Sequence, residues 1–335
     1  MDKGCASSYV YAKCCGMLSK SFLGKNASVL YNAKNLEEIW QLVFKTPVPS
    51  IPEALLATQI EKDAMQRFVD QFISLIECYN KPPKYLVVLL QQYDLDNLKA
   101  IISALSLGEE NYPHPVRLGK YELFDYTKWP SLKEITQNSP FDWINKVPEL
   151  NEIQQLDFKI DLIQTKEFWK AINKAPLSIR QELKNCFIDY YSLKNFMWVL
   201  RLKVYYNMTP AQIENNLLFV TESADKSDPI CKDALSIIEK TIDSFDEWKD
   251  TKFVKYLNPH EEGLVWKIDP LWIESKIRSA QSKKTFSMFH KAPLTELPLF
   301  MFFFLKLQEV NVIRASVEKI RLGAEINESM YLDKE

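Results

Sequence analysis

The chain has 335 residues, 47% of them apolar, which is enough for two or three domains of ordinary size with a substantial core. Its formal net charge is -2, with acids and bases dispersed along the chain, so composition calls for neither nucleic acid nor an anionic membrane surface as partner. Glycine is scarce: there are 7 in all, where average usage of roughly 7% would give about three times as many, so sites built from glycine-rich loops are poorly supplied.

The first residues form no apolar signal segment, and the cysteines at 5, 14, 15, 78, 186 and 231 show no C-x-x-C spacing, which together predict free thiols in a reducing cytoplasm. On a helix Cys14 and Cys15 would point about 100° apart, so they read as small packing residues rather than a redox pair. Gly24-Lys25 lacks the earlier glycine and the following hydroxyl of a phosphate-binding loop, since those positions hold Ser19 and Asn26.

Residues 55–79 carry Ile60, Ala64, Phe68, Phe72, Leu75 and Tyr79 at steps of three and four, the stripe of an amphipathic helix. Asn80-Lys81-Pro82-Pro83 breaks it, and a second periodic segment runs over 85–107 with Leu86, Leu90, Leu98, Ile101 and Leu105. Comparable pairs are predicted over 150–175 and 179–206, split near Ala175-Pro176, and over 270–289 and 295–326, split near Ala292-Pro293. No stretch shows the alternation and turn chemistry of a sheet, so the expected fold class is all-α. The apolar run Leu297–Leu305 is too short to cross a bilayer as a helix, which takes about 20 residues, and its Phe300–Leu305 portion is expected to be buried on all sides.

Two short patterns recur in the same order. Asn35-Leu-Glu-Glu38, Ser131-Leu-Lys-Glu134 and Ser244-Phe-Asp-Glu247 each place a capping residue three before a Glu, as in a reciprocal capping box. Later in each hairpin come Asp94 to Lys99, Asp189 to Lys194 and Glu309 to Arg314: an acid, an aliphatic four residues on and a base at five. From cap to acid the spacing is 59, 58 and 65 residues, which predicts one helical unit used three times, over 1–112, 113–222 and 223–335. Acid and base stand about 140° apart around a helix and cannot pair with each other. Asp94, Asp189 and Glu309 are therefore expected to meet polar groups on neighbouring helices, while Lys99, Lys194 and Arg314 reach solvent or an adjacent unit. A sharper alternative has the three carboxylates converging on a cation.

Catalytic motifs are missing. His114, His260 and His290 lack metal-ligand spacing, and no nucleophile elbow or paired Asp-rich box is present, so no catalytic residue, metal or cofactor is expected. The candidate residues, Asp94, Asn97, Lys99, Asp189, Lys194, Glu309 and Arg314, are structural or interface positions.

These motifs resemble a known family. Tyr9-Val10-Tyr11-Ala12 followed by Gly16-Met17, Leu89–Leu105 with its Tyr93-Asp94-Leu95-Asp96-Asn97-Leu98-Lys99, Asp189–Arg201 and Lys306–Arg314 are similar to segments of the AC39-like stalk proteins of the V-type and archaeal-type rotary ATPases. Cys15 and Val312 depart from that family's pattern, which has a basic residue and an Asn there. The resemblance implies a non-catalytic rotor part made of three similar helical domains in a pseudo-threefold funnel. The central-shaft subunits would be its partners on one side and the membrane proteolipid ring on the other, with the chain cytoplasmic and peripheral to the membrane. The other reading of the same helices is a free-standing helical-repeat adaptor.

Overall fold

The computed structural model describes residues 1–260 and 263–323. Prolines punctuate the helices: Pro52, Pro83 and Pro176 are the N-cap residues of three long ones, where a fixed φ near -55° suits the entry and the lost N–H costs nothing. In order, the α-helices are α1 (Lys3–Leu18), α2 (Ala27–Tyr31), α3 (Leu36–Phe44), α4 (Glu53–Ile76), α5 (Lys84–Ser106), α6 (Leu132–Thr136) and α7 (Ile153–Asn173). They continue as α8 (Leu177–Val204), α9 (Pro210–Glu214), α10 (Lys232–Leu235), α11 (Phe245–Trp248), α12 (Pro270–Phe289) and α13 (Leu297–Leu322). Among the described residues there is no strand. The six long helices expected from periodicity all form, with ends within a few residues of those predicted.

The chain divides into two compact units, one of residues 1–160 with the described residues from Thr285 on, the other of residues 161–284; the division falls within α7 and α12. In the first unit α13 packs against α1, α2, α3 and α4. Phe300, Phe302 and Phe303 are wholly buried, as the apolar run predicts, but Phe304 is only half-buried, so the run is not enclosed on every side. Phe303 lies with its ring centroid 5.2 Å from Phe68, 5.0 Å from Phe72 and 5.9 Å from Tyr93, in the edge-on and tilted geometries that aromatic quadrupoles favour. Farther along α13, Ile313 and Val317 join Ile39 and Val43 of α3 and Ile60 and Ala64 of α4 in one apolar cluster. The last turn of α13 closes at Gly323, whose left-handed φ of 59° lets its N–H reach back to the helix carbonyls.

The second unit is built around α8. Phe196 stacks on Phe253 at 3.8 Å with the planes 6° apart, and Trp248, Leu200, Ile213, Leu217, Ile237 and Ile273 complete the core. Ion pairs link α8 to α12 in antiparallel order, Asp189 meeting Lys284 and Arg201 meeting Glu274 at 2.6 Å.

The three predicted capping residues all sit at helix N-caps, but they differ in what they bond. Asn35 Oδ1 accepts the Glu38 N–H at 2.9 Å while the Glu38 carboxylate accepts the N–H of Lys34 at 2.8 Å, a capping box displaced by one residue on its return arm. Ser131 and Ser244 make no side-chain cap bond. Glu247 instead accepts from Thr241 N–H at 2.8 Å, because the short α11 is held from the preceding loop rather than capped from within. Cys14 is buried and burial pushes its thiol far above the usual range, consistent with a packing role.

Candidate functional site

Asp94 occupies a fully buried position on α5. Its two carboxylate oxygens accept the Leu123 N–H and the Tyr126 hydroxyl, so an internal charge is met by two donors from the loop that follows the helix. Burial raises its pKa from the ordinary 3.8 to about 6, with the Tyr126 and Leu123 hydrogen bonds opposing the rise. Burial and the facing Asp94 carboxylate hold the Tyr126 phenol well above its usual range.

Three residues on, Asn97 donates from Nδ2 to the Val116 carbonyl at 2.7 Å and accepts the Val116 N–H on Oδ1 at 2.9 Å. Gln66 of α4 treats Arg117 in the same way, donating to its carbonyl at 3.0 Å and accepting its N–H at 2.8 Å. Two carboxamides thus pair with an extended stretch of chain as a neighbouring strand would, satisfying backbone groups that no helix serves. Glu122 finishes the turn, taking Arg117 in a two-pronged pair at 2.7 and 3.0 Å and the N–H groups of Leu118 and Gly119 on Oε1.

A folded-state pKa above that of the unfolded chain means that protonated Asp94 favours folding. Its contribution is complete below pH 3.8 and is lost as pH rises through about 6. We therefore expect the stability difference between wild type and Asp94→Asn to move against the wild type by about 2 kcal/mol between pH 4 and 7. Urea titrations of both proteins across that range measure it; a flat difference would remove Asp94 as the titrating group.

The second unit repeats the carboxamide device with Asn195 on α8. Its Nδ2 donates to the carbonyls of Leu218 at 2.8 Å and Ile230 at 3.0 Å, and its Oδ1 accepts the Leu218 N–H at 3.0 Å. Close by in sequence, fully buried Asp228 accepts the N–H groups of Val220, Thr221, Ile230 and Cys231 and the Thr221 hydroxyl. Neither residue stands out in the sequence patterns above. A signal for Asn195 exists nonetheless: Tyr93-x-Leu95-x-Asn97 recurs as Tyr191-x-Leu193-x-Asn195.

The structure places the remaining candidates as follows. Asp189 is half-buried and pairs with Lys284, a mostly exposed contact of the kind worth about 0–1 kcal/mol. Glu309 is buried on α13, where it accepts the Phe22 N–H at 3.0 Å and pairs with buried Lys306. Lys99 lies 4.0 Å from Asp96, Lys194 is exposed with its ammonium 5.8 Å from the Tyr191 ring centre, and Arg314 lies 3.7 Å from Glu61. Asp94 and Glu309 therefore share one pattern, a buried acid receiving a distant backbone N–H, and Asp189 does not follow it. Among the described residues no three His, Cys, Asp or Glu side chains are grouped so as to hold a metal ion, and all three histidines are exposed. An open cleft of about 360 Å³ is lined by Lys203, Met208, Lys240 and Asp243 among others. The Lys203 ammonium is already taken up by the Ile238 and Lys240 carbonyls, and burial lowers its pKa.

What the buried polar groups do chemically is hold loops onto long helices, and comparison with known proteins says where such a body is used. Residues 11–328 match the family described as ATP synthase (C/AC39) subunit. The chain belongs to that family. The C/AC39 family is one of rotor-stalk subunits of the V/A-type ATPases, non-catalytic accessory parts of those complexes. A protein of Treponema pallidum (strain Nichols), described only as uncharacterized, is 24% identical over 329 residues, covering 97% of this chain and 95% of that protein. Among the described residues no helix is long and apolar enough to cross a membrane, so in this C/AC39 chain none of the described helices provides a bilayer span.

Proposed function

We propose that this chain couples the rotating central shaft of a V/A-type ATPase to the membrane proteolipid ring, and so supports proton or sodium transport linked to ATP hydrolysis or synthesis. The observation that carries the reading is the family match over residues 11–328, nearly the whole chain. Three similar helical units, over 1–112, 113–222 and 223–335, would form a funnel that receives the shaft tip on one face and rests on the ring with the other, on the cytoplasmic side. Asp94, Asn97, Lys99, Asp189, Lys194, Glu309 and Arg314 serve in this proposal as structural or interface contacts, several of them joining segments on either side of the unit boundaries. A part that transmits torque must not deform, and close-packed helices with low compressibility suit that demand.

The test is affinity capture of the tagged full-length chain from mildly solubilised native membranes. Co-recovery of shaft and ring subunits in stoichiometric amounts is the expected result, together with loss of ATP-driven ion transport in vesicles from cells lacking the chain. Capture of a soluble partner alone, with ion transport unaffected by the deletion, would sink the reading in favour of a free-standing adaptor.

A further inference from the structure

At the C-terminal end of α5 the first unit exposes a group of large apolar side chains that its own fold does not cover. Leu107 is 58% exposed, Leu150 60%, Val147 45% and Trp143 37%. Ser106 Oγ donates to the Pro148 carbonyl at 3.0 Å and ties the segment carrying Val147 and Leu150 to the helix end carrying Leu107, with Trp143 four residues before Val147 in the same segment. Thr136 anchors the same segment from below through its bond to the Ile144 carbonyl at 2.9 Å, with Phe141 and Ile144 buried. The face is thus a held surface, with the Lys159 ammonium 3.9 Å from the centre of the Trp143 ring at one border.

Acids outnumber bases around the face, five against Lys146 and Lys159. Glu109 and Glu110 follow Leu107, and Asp142, Glu149 and Glu152 flank Trp143 and Leu150, all of them exposed. Lys146 is the one base interspersed among them in the 142–152 segment. Among the described residues none of these five carboxylates is engaged in an ion pair; Glu152 accepts only the Glu149 N–H, at 3.0 Å. Contiguous apolar surface rimmed by charge marks an interaction site, and the rim sets the partner's sign. An anionic lipid surface would be repelled. A segment with aliphatic residues along one stripe and Lys or Arg beside them would satisfy both the apolar floor and the acidic rim, in the manner of helix-in-groove recognition.

We propose that the face formed by Leu107, Trp143, Val147 and Leu150 docks a basic amphipathic helix of a partner protein. The inference stands apart from the rotor reading, since it fixes the chemistry of the partner and not the complex that supplies it.

The probes are two synthetic amphipathic helices of about 18 residues, long enough for helical propagation to outweigh nucleation, with identical leucine stripes and either Lys or Glu on the flanks. Their binding to the full chain is titrated by fluorescence anisotropy. We expect the Leu/Lys peptide to bind at least about tenfold more tightly than the Leu/Glu peptide, with the preference shrinking as salt is raised. In the variant Leu107→Ser/Leu150→Ser, which alters only exposed side chains, affinity for the Leu/Lys peptide should fall about tenfold while the melting temperature stays unchanged. In Glu109→Lys/Glu110→Lys the preference between the peptides should diminish. Equal binding of the two peptides to wild type, or undiminished binding of the Leu/Lys peptide to the leucine variant, overturns the proposal; in the latter case the peptide is held by the protein's other acids.

Discussion

Asp228→Ala is expected to lower stability by about 4 kcal/mol. Asp228 is wholly buried, and its carboxylate accepts the N–H groups of Val220 at 2.7 Å, Thr221 at 3.0 Å, and Ile230 and Cys231 at 2.9 Å each. The Thr221 hydroxyl adds a fifth bond at 2.9 Å. Each orphaned buried donor costs about 1–3 kcal/mol, but the costs do not add in full, since one removal lets the loop relax around all of them. Asp228→Asn keeps one acceptor oxygen and turns the other side into a donor facing donors, so it should cost a comparable amount. That separates loss of the acceptor from loss of volume. Urea unfolding followed by circular dichroism measures both variants, and hydrogen exchange of the Val220 and Cys231 amides localises the effect. A loss below about 1 kcal/mol in both would show that water replaces the carboxylate freely.

Phe303→Ala is expected to cost about 4 kcal/mol, within the range for deleting a buried aromatic ring. The ring touches Phe68 and Phe72 of α4 and Tyr93 of α5 at centroid distances of 5.0 to 5.9 Å, so its removal opens a cavity where three helices meet. Those neighbours are themselves large and buried, and they cannot collapse into the space without leaving their rotamers. Phe303→Leu should cost less, about 1–2 kcal/mol, because much of the volume remains. Phe304, the next residue along, is only half-buried, and Phe304→Ala should cost about 1 kcal/mol. Guanidinium denaturation of the three variants gives the order, and near-equal losses for Phe303→Ala and Phe304→Ala would contradict the packing described for α13.

The long helices are legible because each carries its own signals. In α4 the predicted stripe Ile60, Ala64, Phe68, Phe72 and Leu75 is buried throughout, and prolines at 52, 83 and 176 mark entries that no neighbouring segment has to supply. The capping pattern is less reliable. The same spacing that makes a cap at Asn35 makes none at Ser131 or Ser244, where the helices are only five and four residues long and the glutamate of the second is drawn to Thr241. Among the site residues, an acid-to-base spacing points to Asp94 and Glu309, whereas nothing in the sequence marks the carboxamide of Gln66 or the carboxylate of Asp228. An Asn, Gln or Asp reads the same in sequence whether it closes a local turn, faces water or receives a backbone group from far along the chain.

Sequence by itself determined that the chain is helical, where its long helices lie, that most of its aromatic run is buried and which family it belongs to. These follow from periodicity, from proline's fixed φ and from motif, all of them local properties. Only the tertiary structure decided which polar side chains hold which loops: Asn97 to Val116, Asn195 to Leu218 and Ile230, Glu309 to Phe22. It likewise decided which apolar residues stay exposed, as at Leu107 and Leu150. Both depend on the approach of segments that lie tens to hundreds of residues apart, where a buried backbone group must find a partner whatever its position in the chain.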